Sequence, residues 1–295
     1  MALNFGIRLA EAVKNVGVPL ALGLDPHLDR LPLVLKQRFE TLAGPEKFQA
    51  AATCILEFNA AAIQAAKGQV AAVKPQFAFY EQLGAPGMRA LEETCTLAKT
   101  AGLLIIGDAK RGDISSTAAA YARAIIDPDG PLGCDSITVN PWMGVDTLLP
   151  YLPYCEKAGR GLFVLLRTTN PGAALLQLHG QPTASNKLAD QINEMAQIQD
   201  GWSSIGAVVG AMTPEDAIQL RAQLPHSWFL VPGVGAQGGS LRAALAGSRE
   251  DGLGSLVVCS RALLYPQGHN ELYETNWGGY IAQQIATMRG RFADL

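Results

Sequence analysis

Eight short apolar runs, separated by stretches of helical periodicity, most constrain what this chain can fold into. They lie at residues 18–24, 69–73, 103–107, 135–139, 161–166, 205–210, 228–231 and 255–258. Short apolar runs closed by Gly, Pro, Asp or Asn have the pattern of strands buried on both faces. Helical patterns stand between them at 46–67, 91–100, 115–126, 187–199 and 214–224, and 277–288 can supply a closing helix. Thr213 is the expected N-cap of the helix that begins at Pro214. Strands alternating with helices, without a linker or low-complexity break, predict an α/β fold: a (β/α)8 TIM barrel spanning residues 1–295 as a single domain.

Two segments fall outside the repeat. Residues 1–18 carry Asn4, Arg8, Glu11 and Lys14 at helical spacing, which predicts an amphipathic helix and not a secretory segment. Residues 173–185 are rich in Gly, Pro and small polar side chains and read as a mobile loop.

Composition narrows the partners. A formal net charge of -3 and a pI near 5.8 give no general attraction to nucleic acid or to an anionic membrane, so an anionic ligand must be held by local groups. No window approaches 18 uninterrupted apolar residues, so no membrane span is expected. The five cysteines are odd in number, widely spaced and free of CxxC pairs, which suits reduced thiols in a cytoplasm better than a disulfide framework or a zinc site. Trp142, Trp202, Trp228 and Trp277 read as packing groups.

In a barrel of strand–helix units, ligands bind where strands end and helices begin. The first run ends at Asp25-Pro26 and the second at Lys74-Pro75-Gln76. The third leads into Gly107-Asp108-Ala109-Lys110-Arg111-Gly112-Asp113-Ile114-Ser115-Ser116-Thr117. In extended chain Asp108 and Lys110, two apart, point the same way; Asp113 lies past a glycine turn and need not face the same pocket. An Asp-x-Lys-x-x-Asp array can equally be a surface ion pair, but here it follows a buried strand directly. After the seventh run come Gly233, Gly235, Gly238 and Gly239, and the eighth ends at Ser260-Arg261. A glycine-rich turn and an arginine after the last two strands make an oxyanion site where barrels frequently bind phosphate. His27, His179, His226 and His269 show no ligand spacing, and the lysines compete for the same carboxylates, so no metal is expected.

These residues resemble those of the orotidine 5'-phosphate decarboxylase family. The matching segments are Leu22-Gly23-Leu24-Asp25, Val73-Lys74, Gly107 through Ile114, Asn170-Pro171-Gly172, Pro232 through Gly239 and Ser260-Arg261, in the family's order. The chain's length and its Arg167-Thr168-Thr169-Asn170 segment look like the longer bacterial subgroup. The resemblance implies decarboxylation of orotidine 5'-phosphate to UMP and carbon dioxide, with no cofactor and no metal, in a cytoplasmic homodimer with shared active sites. It implies that Asp25 binds a ribose hydroxyl, that Lys74 orients Asp108 and contacts the ribose, and that Asp108 faces the substrate carboxylate. Lys110 would protonate C6. Asp113, Ile114 and Thr117 would reach into the neighbouring subunit's site. Thr169 would recognise the pyrimidine, Gln237 and Arg261 would close on the phosphate, and Pro232 and Gly238 would line the substrate site. Subgroup members often carry Ser where Thr169 stands, so a hydroxyl is kept. Two other readings are a magnesium-dependent aldolase or epimerase on the same barrel, and a barrel that senses UMP without turnover.

Overall fold

The computed structural model describes residues 2–211, 214–234 and 240–295. Eight parallel strands close on themselves in sequence order. They are β1 (Leu20–Leu24), β2 (Ala72–Pro75), β3 (Leu104–Arg111), β4 (Ser136–Val139), β5 (Gly161–Arg167), β6 (Ile205–Val209), β7 (Phe229–Pro232) and β8 (Ser255–Cys259). Closure is made by β1 against β8, with Leu20 opposite Val257 and Leu22 opposite Cys259. Helices fill the connections, so the (β/α)8 barrel expected from the alternation is the observed fold.

Period-2 alternation sorts the strand residues into two cores. One side, with Leu22, Val73, Ile105, Ile137, Val164 and Val257, packs under the surrounding helices. The other fills the barrel, with Ala21, Ala72, Ile106, Phe163, Leu230 and Leu256. The amphipathic N-terminal segment forms the helix Phe5–Val16, which plugs the bottom of the barrel. Phe5 meets Phe163 edge-on at 5.8 Å, and Trp228 Nε1 donates to the Gly6 carbonyl at 2.9 Å. Apolar side chains seal this floor, and the barrel's cavity opens at the opposite mouth. There, one layer above the inner residues just named, stand Lys74, Asp108, Thr138, Leu165 and Val258.

Several local expectations need correction. Strand β3 does not stop at residue 107 but runs to Arg111, with a register irregularity between Gly107 and Arg111. Residues 173–185 are not a plain loop: they hold the short helix Ala173–Gln177, and the next helix, Ala184–Glu194, starts inside the segment. That helix ends at Glu194 and not at 199. Ile198–Gln199 pairs antiparallel with Trp202–Ser203 across Asp200-Gly201, whose φ values of +47° and +78° make a two-residue hairpin turn. Local turn chemistry there overrides helical spacing. Trp202 and Trp228 stack at 4.8 Å as packing groups, but Trp142 is 72% exposed in the loop after β4, which the strand end projects into solvent. The Pro214–Gln223 helix is present, and its expected cap, Thr213, lies outside the described residues. All five cysteines are buried and unpaired. Among the described residues no helix is long and apolar enough to cross a membrane.

Candidate active site

The mouth of the barrel holds a cavity of about 310 Å³. Its two halves differ. Strands β2, β3 and β4 contribute Lys74, Asp108, Lys110 and Thr138, whereas β5 to β8 contribute Leu165, Val208, Leu230 and Val258. A charged wall therefore faces an apolar one, which is a place for a flat ring with one polar edge.

Asp108 is the centre of the charged wall. Its side chain is 7% exposed, and its two oxygens receive four donors. Lys74 Nζ donates to Oδ2 at 2.5 Å and Gln76 Nε2 to the same oxygen at 2.9 Å. Lys110 Nζ donates to Oδ1 at 2.5 Å and the Thr138 hydroxyl to Oδ1 at 2.9 Å. A carboxylate has about four acceptor positions, so Asp108 is saturated. Burial by itself would raise the pKa of this group, but the Lys74 and Lys110 ammonium groups more than offset it and hold Asp108 well below the usual carboxylate range. Lys74 shows the mirror image. Burial pulls its ammonium down, while Asp108 and then Asp25 outweigh that and keep it above its ordinary value. Both groups thus remain charged in a site that taxes charge heavily, and only their mutual contacts allow it.

Asp25 stands beside them, its Oδ1 4.0 Å from Lys74 Nζ. That oxygen is buried and accepts no hydrogen bond from the described residues, while the residue lines the cavity. Its backbone is fixed from the far side of the barrel closure: the Tyr265 hydroxyl donates to the Asp25 carbonyl at 3.0 Å and accepts the His27 N–H at 2.9 Å. Thr169, Pro232 and Arg261 complete the cavity, with Thr168, Asn170 and Ser260 beside them. Gly233 takes φ +102°, a conformation open chiefly to glycine, and so turns the backbone after β7 towards the cavity. Gln237 and Gly238 lie outside the described residues.

Lys74, Asp108, Lys110, Asp25, Thr169, Pro232 and Arg261 are thus brought together as the sequence led one to expect. Asp113, Ile114 and Thr117 are not. They lie past the rim, outside the lining of this chain's own cavity; Ile114 is 55% exposed, and the Asp113 carboxylate caps its neighbour's N–H at 2.7 Å. Gln76 and Thr138 went unrecognised in the sequence, although both hold Asp108. The available signal was parity. Gln76 stands two residues after Lys74, and Thr138 is a polar residue at an inward position of an otherwise apolar strand end. Among the described residues, no three His, Cys, Asp or Glu side chains converge as a metal-binding group.

Residues 19–271 match a family model described as the orotidine 5'-phosphate decarboxylase / HUMPS family. A Rhodopirellula baltica protein named orotidine 5'-phosphate decarboxylase is 38% identical over 288 residues, covering 93% of this chain and 94% of its own length. A Clostridium novyi protein of the same name is 37% identical over 289 residues, with 96% of each chain covered. Among solved structures, Leishmania donovani OMP decarboxylase superposes with a TM-score of 0.72 at 30% identity, covering 97% of this chain and 99% of that one.

Proposed function

This chain belongs to the orotidine 5'-phosphate decarboxylase family, and on that premise we propose that it converts orotidine 5'-phosphate to UMP and carbon dioxide without a cofactor, as the closing step of UMP synthesis, with Lys110 delivering the proton to C6. The observation that carries the proposal is the Lys110–Asp108 contact of 2.5 Å on the inner wall of the cavity, with Asp108 saturated and held ionised.

The chemistry asks for this pair. Departure of carbon dioxide from C6 leaves an electron pair in the plane of the pyrimidine, where the ring delocalises it poorly. A fixed ammonium beside that carbon stabilises the developing charge and then fills the vacated position with a proton. Lys110 is suited to this because Asp108 holds it at the cavity wall while 44% of its side chain remains open to a ligand. A substrate carboxylate seated against Asp108 would meet a negative charge that Lys74 and Lys110 favour keeping ionised. That repulsion falls as the carboxylate becomes neutral carbon dioxide, so it opposes the bound substrate more than the transition state. Lys74 keeps Asp108 in place, and its neighbour Asp25, which lines the cavity, binds a ribose hydroxyl.

The remaining roles follow the cavity's division. The pyrimidine lies towards Leu165, Val208 and Leu230, with Thr169 reading its polar edge. Arg261, Pro232 and Gly233 face the phosphate, and binding energy spent there holds the reacting end in register; Gln237 and Gly238, outside the described residues, would contribute to the same grip. Asp113, Ile114 and Thr117 act across a homodimer interface. Their place outside their own cavity supports this, as do the exposed Ile114, Trp142 and Met143 on adjoining loops, joined where Asn140 N–H donates to the Arg111 carbonyl at 2.8 Å.

The test is the ultraviolet absorbance of orotidine 5'-phosphate incubated with purified protein in EDTA. A decline with UMP and carbon dioxide as products is the expected result. No change from a folded protein would overturn the proposal, and turnover that appears only when magnesium replaces EDTA would overturn its cofactor-free part.

A further inference from the structure

We propose that Thr138 is a positioning residue for the Asp108–Lys110 pair; this rests on the decarboxylase reading above. The geometry begins with the ladder between β3 and β4. Gly107 stands opposite Ile137 and Arg111 opposite Val139. Between those two rungs β3 has three residues, Asp108, Ala109 and Lys110, while β4 has one, Thr138. The excess on β3 is a bulge, and bulges re-aim side chains at the cost of ladder hydrogen bonds.

Within that bulge Lys110 adopts φ +47°, the left-handed region that a side chain disfavours. Such a conformation persists only where its surroundings enforce it. Lys110 falls between the two rungs, without a register partner on β4, and its backbone N–H donates to the Thr138 hydroxyl oxygen at 3.0 Å. A side chain thus ties the bulge to β4.

The same hydroxyl settles the carboxylate. Because its oxygen accepts from Lys110, its hydrogen is directed elsewhere, and it goes to Asp108 Oδ1 at 2.9 Å, the oxygen that also takes Lys110 Nζ. One hydroxyl therefore fixes both ends of the lysine: its backbone directly, its ammonium through Asp108. Thr138 is 1% exposed, and β-branching restricts its χ1, so strand β4 sets the hydroxyl's position rigidly. Valine has nearly the same shape and equal preference for a strand, but neither accepts nor donates.

The experiment compares Thr138→Val, Thr138→Ala and Thr138→Ser with the parent enzyme, measuring kcat, KM and UMP affinity. Turnover by the parent tests the decarboxylase reading alone, before any variant is made. Thr138→Val is expected to lower kcat about 10- to 100-fold, the scale of hydrogen bonds to a charged group, with KM and UMP affinity changed less than about threefold. Thr138→Ser should recover kcat to within about threefold of the parent, since it restores the hydroxyl. Alanine and serine at 138 differ by that hydroxyl alone, so their kcat ratio carries the same test if the valine variant does not fold. Parental kcat in Thr138→Val would overturn the proposal, and so would equal kcat values for Thr138→Ala and Thr138→Ser.

Discussion

Lys74 Nζ lies 2.5 Å from Asp108 Oδ2, and each side chain is only 7% exposed. The contact is half of a shared arrangement, since Lys110 takes the other carboxylate oxygen at the same distance. One buried anion thus pairs with two cations, one enclosed and one open to the cavity, and Asp25, 4.0 Å from Lys74, supplies the second negative charge. Removal of Asp108 should affect stability through the first cation and turnover through the second.

For stability, Asp108→Asn is expected to destabilise the unliganded protein by about 3 kcal/mol at neutral pH, because it leaves a buried ammonium short of its partner. The pH dependence follows from the two shifts. Asp108 is depressed in the folded state, so its contribution is present above its unfolded pKa of about 3.9 and is lost as the pH falls through the folded value. Lys74 is raised, so its contribution is present below its unfolded pKa of about 10.4 and is lost as the pH rises through the folded value. The gap in urea midpoint between wild type and Asp108→Asn should therefore be level from about pH 5 to 9 and narrow below about pH 4. A gap that widens on acidification would contradict the assignment of Asp108 as a held anion.

For turnover, Lys110→Ala separates chemistry from binding. The Lys110 side chain is 44% exposed and packs in no core, so the fold should survive its loss. Turnover is expected to fall by more than about 10²-fold, the lower end of what a positioned proton donor contributes. UMP, which carries no carboxylate at C6, should still bind with measurable affinity by calorimetry. Activity within about tenfold of wild type would remove Lys110 from the proton-donor role, because a general acid contributes more than that.

The sequence was informative where charge interrupts an apolar run. Asp25, Lys74, Asp108 and Lys110 were visible because a charged residue at the end of a buried strand has no packing reason to be there. Parity puts Thr138 and Gln76 on the inner face but gives them no role, because one neutral polar residue at a strand end looks like any other until its partner is known. The bulge was hidden for a different reason. It depends on Lys110 adopting φ +47°, which nothing in a Lys-Arg-Gly segment announces. The Asp200-Gly201 hairpin was legible in principle, as Asp-Gly between Ile198-Gln199 and Trp202-Ser203, but the apolar spacing of 187–199 fits a helix equally well, and turn chemistry decided the outcome.

The position of Asp113 leads to a test of shared sites. Since Asp113, Ile114 and Thr117 lie outside their own cavity, Lys110→Ala and Asp113→Ala should damage different copies of one composite site. A hybrid dimer then has one site with both defects and one with neither. Mixing the two inactive variants and allowing subunit exchange should restore about a quarter of wild-type turnover, as half of the dimers become hybrids. No recovery, with exchange demonstrated by differential tagging, would mean that Asp113 does not act across the interface.

Gln177 gives the last test, on a segment whose composition alone reads as mobile. Its carboxamide is clamped to Thr168, accepting the backbone N–H at 2.9 Å through Oε1 and donating to the hydroxyl at 2.9 Å through Nε2. Thr168 passes the constraint on, its hydroxyl donating to Asn170 Oδ1 at 2.7 Å, and the Ser185 hydroxyl secures the Gln177 carbonyl at 2.7 Å. The segment therefore rests on the cavity wall beside Thr169. Gln177→Ala removes two hydrogen bonds of about 1 kcal/mol each, enough to raise the ratio of undocked to docked segment about 30-fold. Amide exchange over 173–183 should quicken and KM should rise, while the melting temperature stays near that of wild type because the opening is local. Gln177→Glu separates the two bonds. It still accepts the Thr168 N–H, but it offers no donor to a hydroxyl already committed to Asn170, so its KM should fall between those of the parent and Gln177→Ala. A parental KM in Gln177→Ala, together with unchanged exchange, would show that this segment is held by other contacts and has no part in closing the site.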